Sequence, residues 1–150
     1  MSEPSVNGAA SSMAAVQKEI VEAMSGLDDP LDKYEYLVDL GKRLDGADAS
    51  IRDEAYAVPG CQSRVWIRAE LEDGRLRLSA DSEAVITRGI IALLLRVLDG
   101  RTPEEILETE LFFLEGTGLQ AHLSPSRANG LASMVRQIRG YAQEAAAPRG

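Results

Sequence analysis

The sequence predicts an α+β fold in which a small antiparallel sheet of about three strands packs with helices. Helical periodicity dominates the chain before residue 45 and after residue 83. Between these regions, Arg64 to Leu71 and Arg75 to Ala80 alternate apolar and polar residues, and Glu72-Asp73-Gly74 joins them as a hairpin turn. Because an isolated hairpin is marginal in water, we expect a covering helix or a third strand, which the residues just before Pro59 are placed to supply.

Two amphipathic helices are predicted before the sheet. The first runs from Met13 to Met24, with Ser11 or Ser12 as its N-cap, and ends at Gly26. Asp29-Pro30 provides a capping carboxylate and a proline at the first helical position, so a second helix begins there and runs to about Leu44. Its predicted core stripe comprises Tyr34, Leu37, Val38 and Leu44, with Gly41 allowing close approach of a neighbour.

A long loop from Asp45 to Val58 is predicted to lead into the sheet. After the hairpin, Asp81-Ser82 is predicted to cap an almost entirely apolar helix from Ala84 to Leu98, which Gly100 stops.

Short helices and connections are predicted to follow. Thr102-Pro103-Glu104-Glu105 combines a capping box with an N1 proline and opens a short helix. Leu111 to Leu123 is predicted to be an irregular connection with its two phenylalanines packed inward, and Ser124-Pro125 to open the last helix.

Length and composition indicate one domain at residues 13–144, with a disordered tail at 1–12 and a frayed tail at 145–150.

The longest apolar run, Ile90 to Leu95, is far shorter than the roughly 20 residues of a membrane span, so we expect no membrane association. The net charge of −8 argues against nucleic-acid binding, which requires clustered basic residues. A single cysteine and the absence of a basic leader favour a reducing cytoplasm.

The stretch from Ala57 to Ile67 holds the only cysteine and the only tryptophan, and it places Cys61 where a Pro59-Gly60 turn enters a strand. One cysteine and one histidine cannot form the usual zinc or iron–sulfur sites, so no metal is expected. Four interpretations of Cys61 remain open. It is a buried apolar filler, the nucleophile of a thiol protease or acyltransferase with His122, a carrier of sulfur as a persulfide, or a peroxide sensor. The last is less favoured, because such sensors often have a second cysteine nearby and this chain has one cysteine.

Three blocks of the chain stand out in order and spacing. They are Gly60-Cys61-Gln62-Ser63-Arg64-Val65-Trp66-Ile67, Asp81-Ser82-Glu83-Ala84-Val85-Ile86-Thr87-Arg88-Gly89 and His122-Leu123-Ser124-Pro125-Ser126-Arg127-Ala128-Asn129-Gly130-Leu131. These blocks resemble successive signatures of the SufE family of sulfur acceptors, which act with cysteine desulfurases. The resemblance extends from about Asp28 to Arg139 and includes the approach Lys33 to Leu37 with Leu40-Gly41.

This resemblance implies that Cys61 accepts sulfur from the persulfide of a pyridoxal-phosphate-dependent, SufS-type cysteine desulfurase and passes it to a SufBCD-type scaffold for iron–sulfur assembly. The pyridoxal phosphate belongs to the partner, so no cofactor is expected in this chain. The implied fold is SufE/IscU-like, but the cluster-binding cysteines of the IscU scaffold are missing here, which favours a carrier over a scaffold.

Roles for the neighbours of Cys61 follow from the same resemblance together with their chemistry. Gly60 lets the loop bend toward a partner, and Gln62 and Ser63 either position it by hydrogen bonds or satisfy its backbone. Arg127 either stabilises the thiolate or makes a surface salt bridge. Asp81 is expected to be first a helix cap and second a gate or partner contact, while Trp66 is expected in the core.

Overall fold

The two-stranded hairpin at the centre of the chain is formed as the alternation predicts. In the computed structural model, which describes residues 12–44, 49–60, 64–118 and 125–146, β1 spans Val65–Glu72 and β2 spans Arg75–Ser82. The antiparallel register pairs Val65 with Ser82 and Glu72 with Arg75. Asp73 and Gly74 form the two-residue turn, with φ of 53° and 79°, the positive values that the favoured hairpin turns require.

The expected third strand is reduced to a single bridge. Ala57 pairs with Trp66 in an isolated antiparallel bridge, and the Val58 N–H donates to the Val65 carbonyl at 2.9 Å. On the other edge, Leu76 pairs in the same way with Arg101. Within the described residues the sheet therefore has two full strands, and the α+β fold class is confirmed.

Six helices surround the hairpin in the described part of the chain. They are α1 (Met13–Ser25), α2 (Pro30–Gly41), α3 (Val85–Leu98), α4 (Pro103–Glu108), α5 (Phe113–Gly116) and α6 (Pro125–Ala146). Short 3-10 turns at Lys42–Leu44, Ala49–Ile51 and Glu54–Tyr56 lie between α2 and β1, so the predicted loop contains ordered turns. At its other end the chain stays helical through Ala146, two residues into the predicted frayed tail.

Three of the predicted helix starts are confirmed atom by atom. The Ser12 side chain accepts from the Ala15 N–H at 3.0 Å, and Asp29 accepts from the Leu31 N–H at 2.9 Å. Thr102 and Glu105 form the reciprocal capping box. Each cap satisfies backbone donors that the first helical turn leaves without partners.

The predicted cap of α3 is wrong. Asp81 and Ser82 are the last residues of β2, and the N-cap position belongs to Ala84, which makes no side-chain cap. Ser82 still contributes, because its Oγ accepts from the Ala84 N–H at 3.2 Å. The carboxylate of Asp81 makes no cap and pairs with cations instead.

Two apolar predictions also need correction, and in each case another residue of the same prediction is buried as expected. Tyr34 is 51% exposed although periodicity predicts it in the core stripe of α2, where Leu37 is buried. Phe112 is 37% exposed while Phe113 is fully buried, so only one of the two phenylalanines packs inward.

The core is centred on α3, which packs against α2, β2 and α1. Its contact with α2 depends on two glycines. A Cβ at Gly89 would overlap the Leu37 carbonyl oxygen, and a Cβ at Gly41 would lie 3.1 Å from Arg88 Cβ. The close approach predicted at Gly41 is confirmed, and α2 and α3 touch backbone to backbone.

Candidate functional site

The segment that carries the lone thiol is flanked by described residues on both sides. Cys61, Gln62 and Ser63 lie outside the described residues, as does His122. Gly60 precedes the segment and Arg64 follows it, and both are exposed. The residues on either side of positions 61–63 are called the base of the thiol segment.

Both ends of the segment are fixed to the sheet. The hydrogen bond between Val58 and Val65 closes the base on one side. On the other side, the Arg64 carbonyl accepts from Ser82 Oγ at 2.7 Å and from the Glu83 N–H at 3.3 Å. The residues on both sides of positions 61–63 are thus anchored on the antiparallel pair.

Gly60 adopts a conformation that favours glycine. Its φ is 81°, in the left-handed region where a side chain costs roughly 1–2 kcal/mol. A Cβ at this position would also lie 3.3 Å from the Oγ of Ser133, which is on α6. The chain therefore bends at the residue before Cys61 and is packed against α6 at the bend.

Asp81 forms an ion-pair cluster at the end of β2, beside this base. Its Oδ2 accepts from Arg52 Nε at 3.1 Å and from Arg52 Nη2 at 2.9 Å, and its Oδ1 lies 3.2 Å from Arg88 Nε. The residue is only 7% exposed, and a buried carboxylate is tolerated when cations and hydrogen bonds compensate its lost hydration. Asp81 thus anchors three elements to one another: the segment before β1, β2 and α3.

Arg52 also covers Trp66. The Arg52 guanidinium carbon lies 4.9 Å from the centroid of the Trp66 ring, within the range of a cation–π contact. Trp66 is 5% exposed, which confirms the expectation that it belongs to the core, although the strand alternation places it on the polar face. The sequence gives no signal for Arg52, because its partner Asp81 is 29 residues away.

The last helix is joined to the same region by a second network. The Tyr141 hydroxyl donates to the Ile67 carbonyl at 2.7 Å. Gln137 Nε2 donates to the Tyr141 hydroxyl at 3.1 Å and to the Tyr56 carbonyl at 3.2 Å. Burial raises the pKa of Tyr141 above its usual 10.0, because the phenolate would be poorly solvated there.

Arg136 lies one helical turn beyond Ser133. Its Nη2 donates to Ser133 Oγ at 3.1 Å, the same oxygen that packs against Gly60. Arg127, the arginine that the sequence singles out, is in the first turn of α6, and its side chain lies outside the described residues. Among the described side chains of α6, Arg136 is therefore joined through Ser133 to the bend at Gly60, and the role of Arg127 stays a prediction.

No group of three or more His, Cys, Asp or Glu side chains among the described residues could hold a metal ion. Likewise, none of the helices in that part of the chain is long and apolar enough to cross a membrane.

Comparison with known proteins matches residues 18–142 to the family model described as "SufE: Fe-S metabolism associated domain". The chain belongs to the SufE family. This SufE-family chain is 42% identical over 120 residues to an uncharacterised SufE-like protein of Synechocystis sp., covering 80% of this chain and 76% of the relative. It is 35% identical over 130 residues to a SufE-like protein of Rhizobium meliloti, covering 83% of this chain and 93% of the relative.

A longer plant relative matches over a span of the same length. The "SufE-like protein 1, chloroplastic/mitochondrial" of Arabidopsis thaliana is 41% identical over 120 residues, which are 79% of this chain but 32% of the plant protein. The solution structure of a hypothetical protein from Thermus thermophilus shares the fold, with a TM-score of 0.71, 23% identity and coverage of 87% of this chain and 95% of that one. SufE membership implies a role in sulfur transfer with a cysteine desulfurase, within iron–sulfur metabolism.

Proposed function

We propose that this chain is a sulfur acceptor and carrier that uses Cys61. It takes persulfide sulfur from a SufS-type, pyridoxal-phosphate-dependent cysteine desulfurase, stimulates that enzyme, and passes the sulfur to a SufBCD-type iron–sulfur scaffold. The observation that carries the proposal is the match to the SufE family over residues 18–142, a span that contains the only cysteine of the chain.

The transfer step requires one thiolate and no redox partner. The Cys61 thiolate attacks the terminal sulfur of the donor's persulfide, a new S–S bond forms at Cys61, and the old S–S bond breaks. The bonding electrons leave with the donor's cysteine as a thiolate. Cys61 then holds a persulfide, and the desulfurase is free to begin another cycle, which accounts for the stimulation.

Two features of the chain suit this role. The segment that contains Cys61 is anchored at Val58 and Val65, and it bends at Gly60, so a reactive sulfur is carried on a fixed base. Because the chain has a single cysteine, a bound persulfide has no second thiol of the same molecule to attack it and release the sulfur as a disulfide forms. The sulfur is kept for an external acceptor.

The cytoplasm is the location that we assign to this activity. A lone thiol that must alternate between thiolate and persulfide requires a reducing compartment. The net charge of −8 supports protein partners rather than nucleic acid.

Mass spectrometry of the intact chain tests the transfer directly. After incubation with a SufS-type desulfurase and free cysteine, the parent chain is expected to gain one sulfur atom on Cys61, and the gain is expected to vanish in Cys61→Ser. A reaction without the desulfurase controls for sulfur acquired from free cysteine alone. Absence of the adduct, or an equal adduct in Cys61→Ser, would contradict the proposal.

Two further variants separate the other interpretations of Cys61. If Cys61 only fills space, Cys61→Ala will lower the free energy of unfolding and leave desulfurase stimulation intact. If the chain is a thiol acyltransferase or protease, it will cleave an ester or peptide and His122→Ala will abolish that activity. We expect neither result.

A further inference from the structure

We propose that one exposed apolar face of α2 is the surface on which a SufS-type cysteine desulfurase docks, an inference that rests on the proposed function and deepens it. The face is formed by Leu31, Tyr34 and Val38, which are called the α2 stripe. Its occupant presents an apolar surface with lysine and arginine side chains at the rim.

The three residues of the α2 stripe lie on one side of the helix. They are spaced by three and four positions, which places them on a common face. Leu31 is 59% exposed and Tyr34 is 51% exposed, whereas Leu37 of the same helix is buried. Val38 packs at the edge of the core and is partly exposed. Besides the face that packs on α3, α2 therefore presents a second apolar face to the outside.

Neighbouring exposed apolar residues of this kind are typical of protein contacts. Single apolar side chains are common on protein surfaces, but an apolar patch with a polar rim marks an interaction site. Tyrosine is also one of the residue types that contribute most to the affinity of interfaces. Tyr34 is therefore expected to be the principal contact of the α2 stripe.

Acidic side chains surround the α2 stripe. Residues 28–39 contain five acidic residues and one lysine. Asp28, Asp32 and Glu35 are exposed and enter no ion pair within the residues that the structure describes. A second copy of this surface, an anionic lipid or a nucleic acid would be repelled by these carboxylates. The rim is complementary to a protein that carries basic side chains.

The α2 stripe ends beside the base of the thiol segment. Gly41 follows Val38 by three residues, and a Cβ added to it would lie 3.3 Å from the Val85 carbonyl oxygen of α3. Val85 is exposed, and it follows Glu83, whose N–H donates to the Arg64 carbonyl at the base. An exposed apolar residue thus lies between the end of α2 and the base.

The α2 stripe and the base fit within one protein interface. Ten residues separate Leu31 from Gly41, which is about 15 Å along a helix. A stable interface covers roughly 800 Å² of each partner, a patch roughly 30 Å across. A partner that binds at the base therefore reaches the stripe as well. SufE membership implies a cysteine desulfurase as the partner, so the desulfurase is the occupant assigned to the stripe.

Isothermal titration calorimetry of the full chain with a SufS-type desulfurase tests this surface. Free cysteine is left out, so that binding is measured without sulfur transfer. Tyr34→Ala is expected to raise the dissociation constant roughly tenfold and Leu31→Ala roughly three- to tenfold, because each removes an apolar side chain that the partner buries. Both side chains are more than half exposed in the free chain, so both variants are expected to keep the parental midpoint of urea denaturation.

Leu71→Ala is the matched control for the apolar contact. Leu71 is 46% exposed and lies on β1 beside the hairpin turn, so the same substitution is made at a comparable exposure outside α2. Its dissociation constant is expected to equal that of the parent. An affinity lost equally in Leu71→Ala and Leu31→Ala would overturn the proposal, as would a Tyr34→Ala that binds as tightly as the parent.

A charge variant tests the rim. Glu35→Gln is expected to weaken binding several-fold at low salt and less at high salt, because salt screens the attraction between exposed charges. Glu104→Gln removes the same charge from α4 and is the control. If a stripe variant does not fold, this pair decides the question, and equal affinities of the two charge variants overturn the proposal.

Other occupants of the α2 stripe give different results. A loss of affinity for a SufBCD-type scaffold, with affinity for the desulfurase unchanged, would overturn the proposal. So would a dimer of the parent chain that dissociates in Tyr34→Ala, measured by analytical ultracentrifugation, or a parent chain that does not bind the desulfurase.

Failure of the proposed function would look different from failure of the docking surface. In the first case the chain would bind the desulfurase through the α2 stripe, yet Cys61 would gain no sulfur in the mass spectrum. In the second case Cys61 of the parent would gain sulfur, and the stripe variants would bind the desulfurase as tightly as the parent does.

Discussion

Gly89→Ala should separate two helices that the structure packs backbone to backbone. The new Cβ would overlap the Leu37 carbonyl oxygen and lie 2.7 Å from the carbonyl carbon, whereas real Cβ atoms essentially never approach closer than 3.0 Å. Because the obstacle is backbone in α2 and not a movable side chain, α2 and α3 must move apart by about 1 Å. Alanine gains about 1 kcal/mol in helix propensity, but overpacking of this kind costs roughly 1–3 kcal/mol or more.

After the gain in helix propensity is subtracted, we expect Gly89→Ala to lower the free energy of unfolding by up to about 2 kcal/mol, measured by urea denaturation at neutral pH. Gly140→Ala is the matched control, since Gly140 lies in α6 with nothing within 4 Å of its added Cβ. This control should gain roughly 0.5–1 kcal/mol from helix propensity. If the two variants change stability equally, the close contact of α2 with α3 is wrong.

The remaining predictions concern the site. Asp81→Asn leaves the guanidiniums of Arg52 and Arg88 without their carboxylate and should lower the free energy of unfolding by about 1–3 kcal/mol. This loss is smaller than for a fully buried pair because Arg52 is partly exposed. An unchanged midpoint of urea denaturation would contradict the anchoring role of Asp81. The pKa of Tyr141 is raised in the folded protein. Its contribution to the free energy of unfolding is therefore complete below its pKa in the unfolded chain, near 10, and is lost as the pH rises through its pKa in the folded protein. Parental stability should therefore fall from about pH 9 to 11 and above, more steeply than that of Tyr141→Phe, and parallel curves would refute this. Gly60→Ala must adopt a positive φ beside Ser133 and should lose about 1 kcal/mol and accept sulfur more slowly; unchanged stability and loading would refute the bend.

The features that the sequence predicts well are those whose partners are close along the chain. The caps at Ser12, Asp29 and Thr102 depend on donors two or three residues away, so the local pattern contains the whole interaction. The hairpin is similar, because Asp73 and Gly74 fix the turn and the alternation then fixes the register. In these places local preference and tertiary structure agree.

The errors arise where distant residues decide burial. The core position of Trp66 is predicted correctly from its residue type, but nothing local in the sequence shows that Arg52 from another segment covers its ring. Asp81 is of a residue type that commonly caps helices, yet its carboxylate oxygens pair with Arg52 and Arg88 from other elements. Periodicity alone likewise does not show that Tyr34 remains exposed while Leu37, one turn further along, meets Gly89 of α3.

The candidate site can be predicted from the sequence only in part. Cys61 and Gly60 can be recognised as candidate site residues from the sequence, because a single cysteine directly after a Pro-Gly turn is evident without a structure. The contact between Ser133 and Arg136 carries no such signal, since a serine and an arginine three residues apart are ordinary on an amphipathic helix. Only the packing of α6 against the bend at Gly60 distinguishes them.

The most direct test of the central claim is the rate of alanine release by a SufS-type desulfurase, measured alone, with the parent chain and with Cys61→Ser. We expect the parent chain to accelerate alanine release and the serine variant, folded equally well, to leave the rate unchanged. Equal acceleration by the two chains would contradict sulfur transfer through Cys61, because a serine hydroxyl, which cannot accept the sulfur, would then stimulate the desulfurase as well as the thiol does.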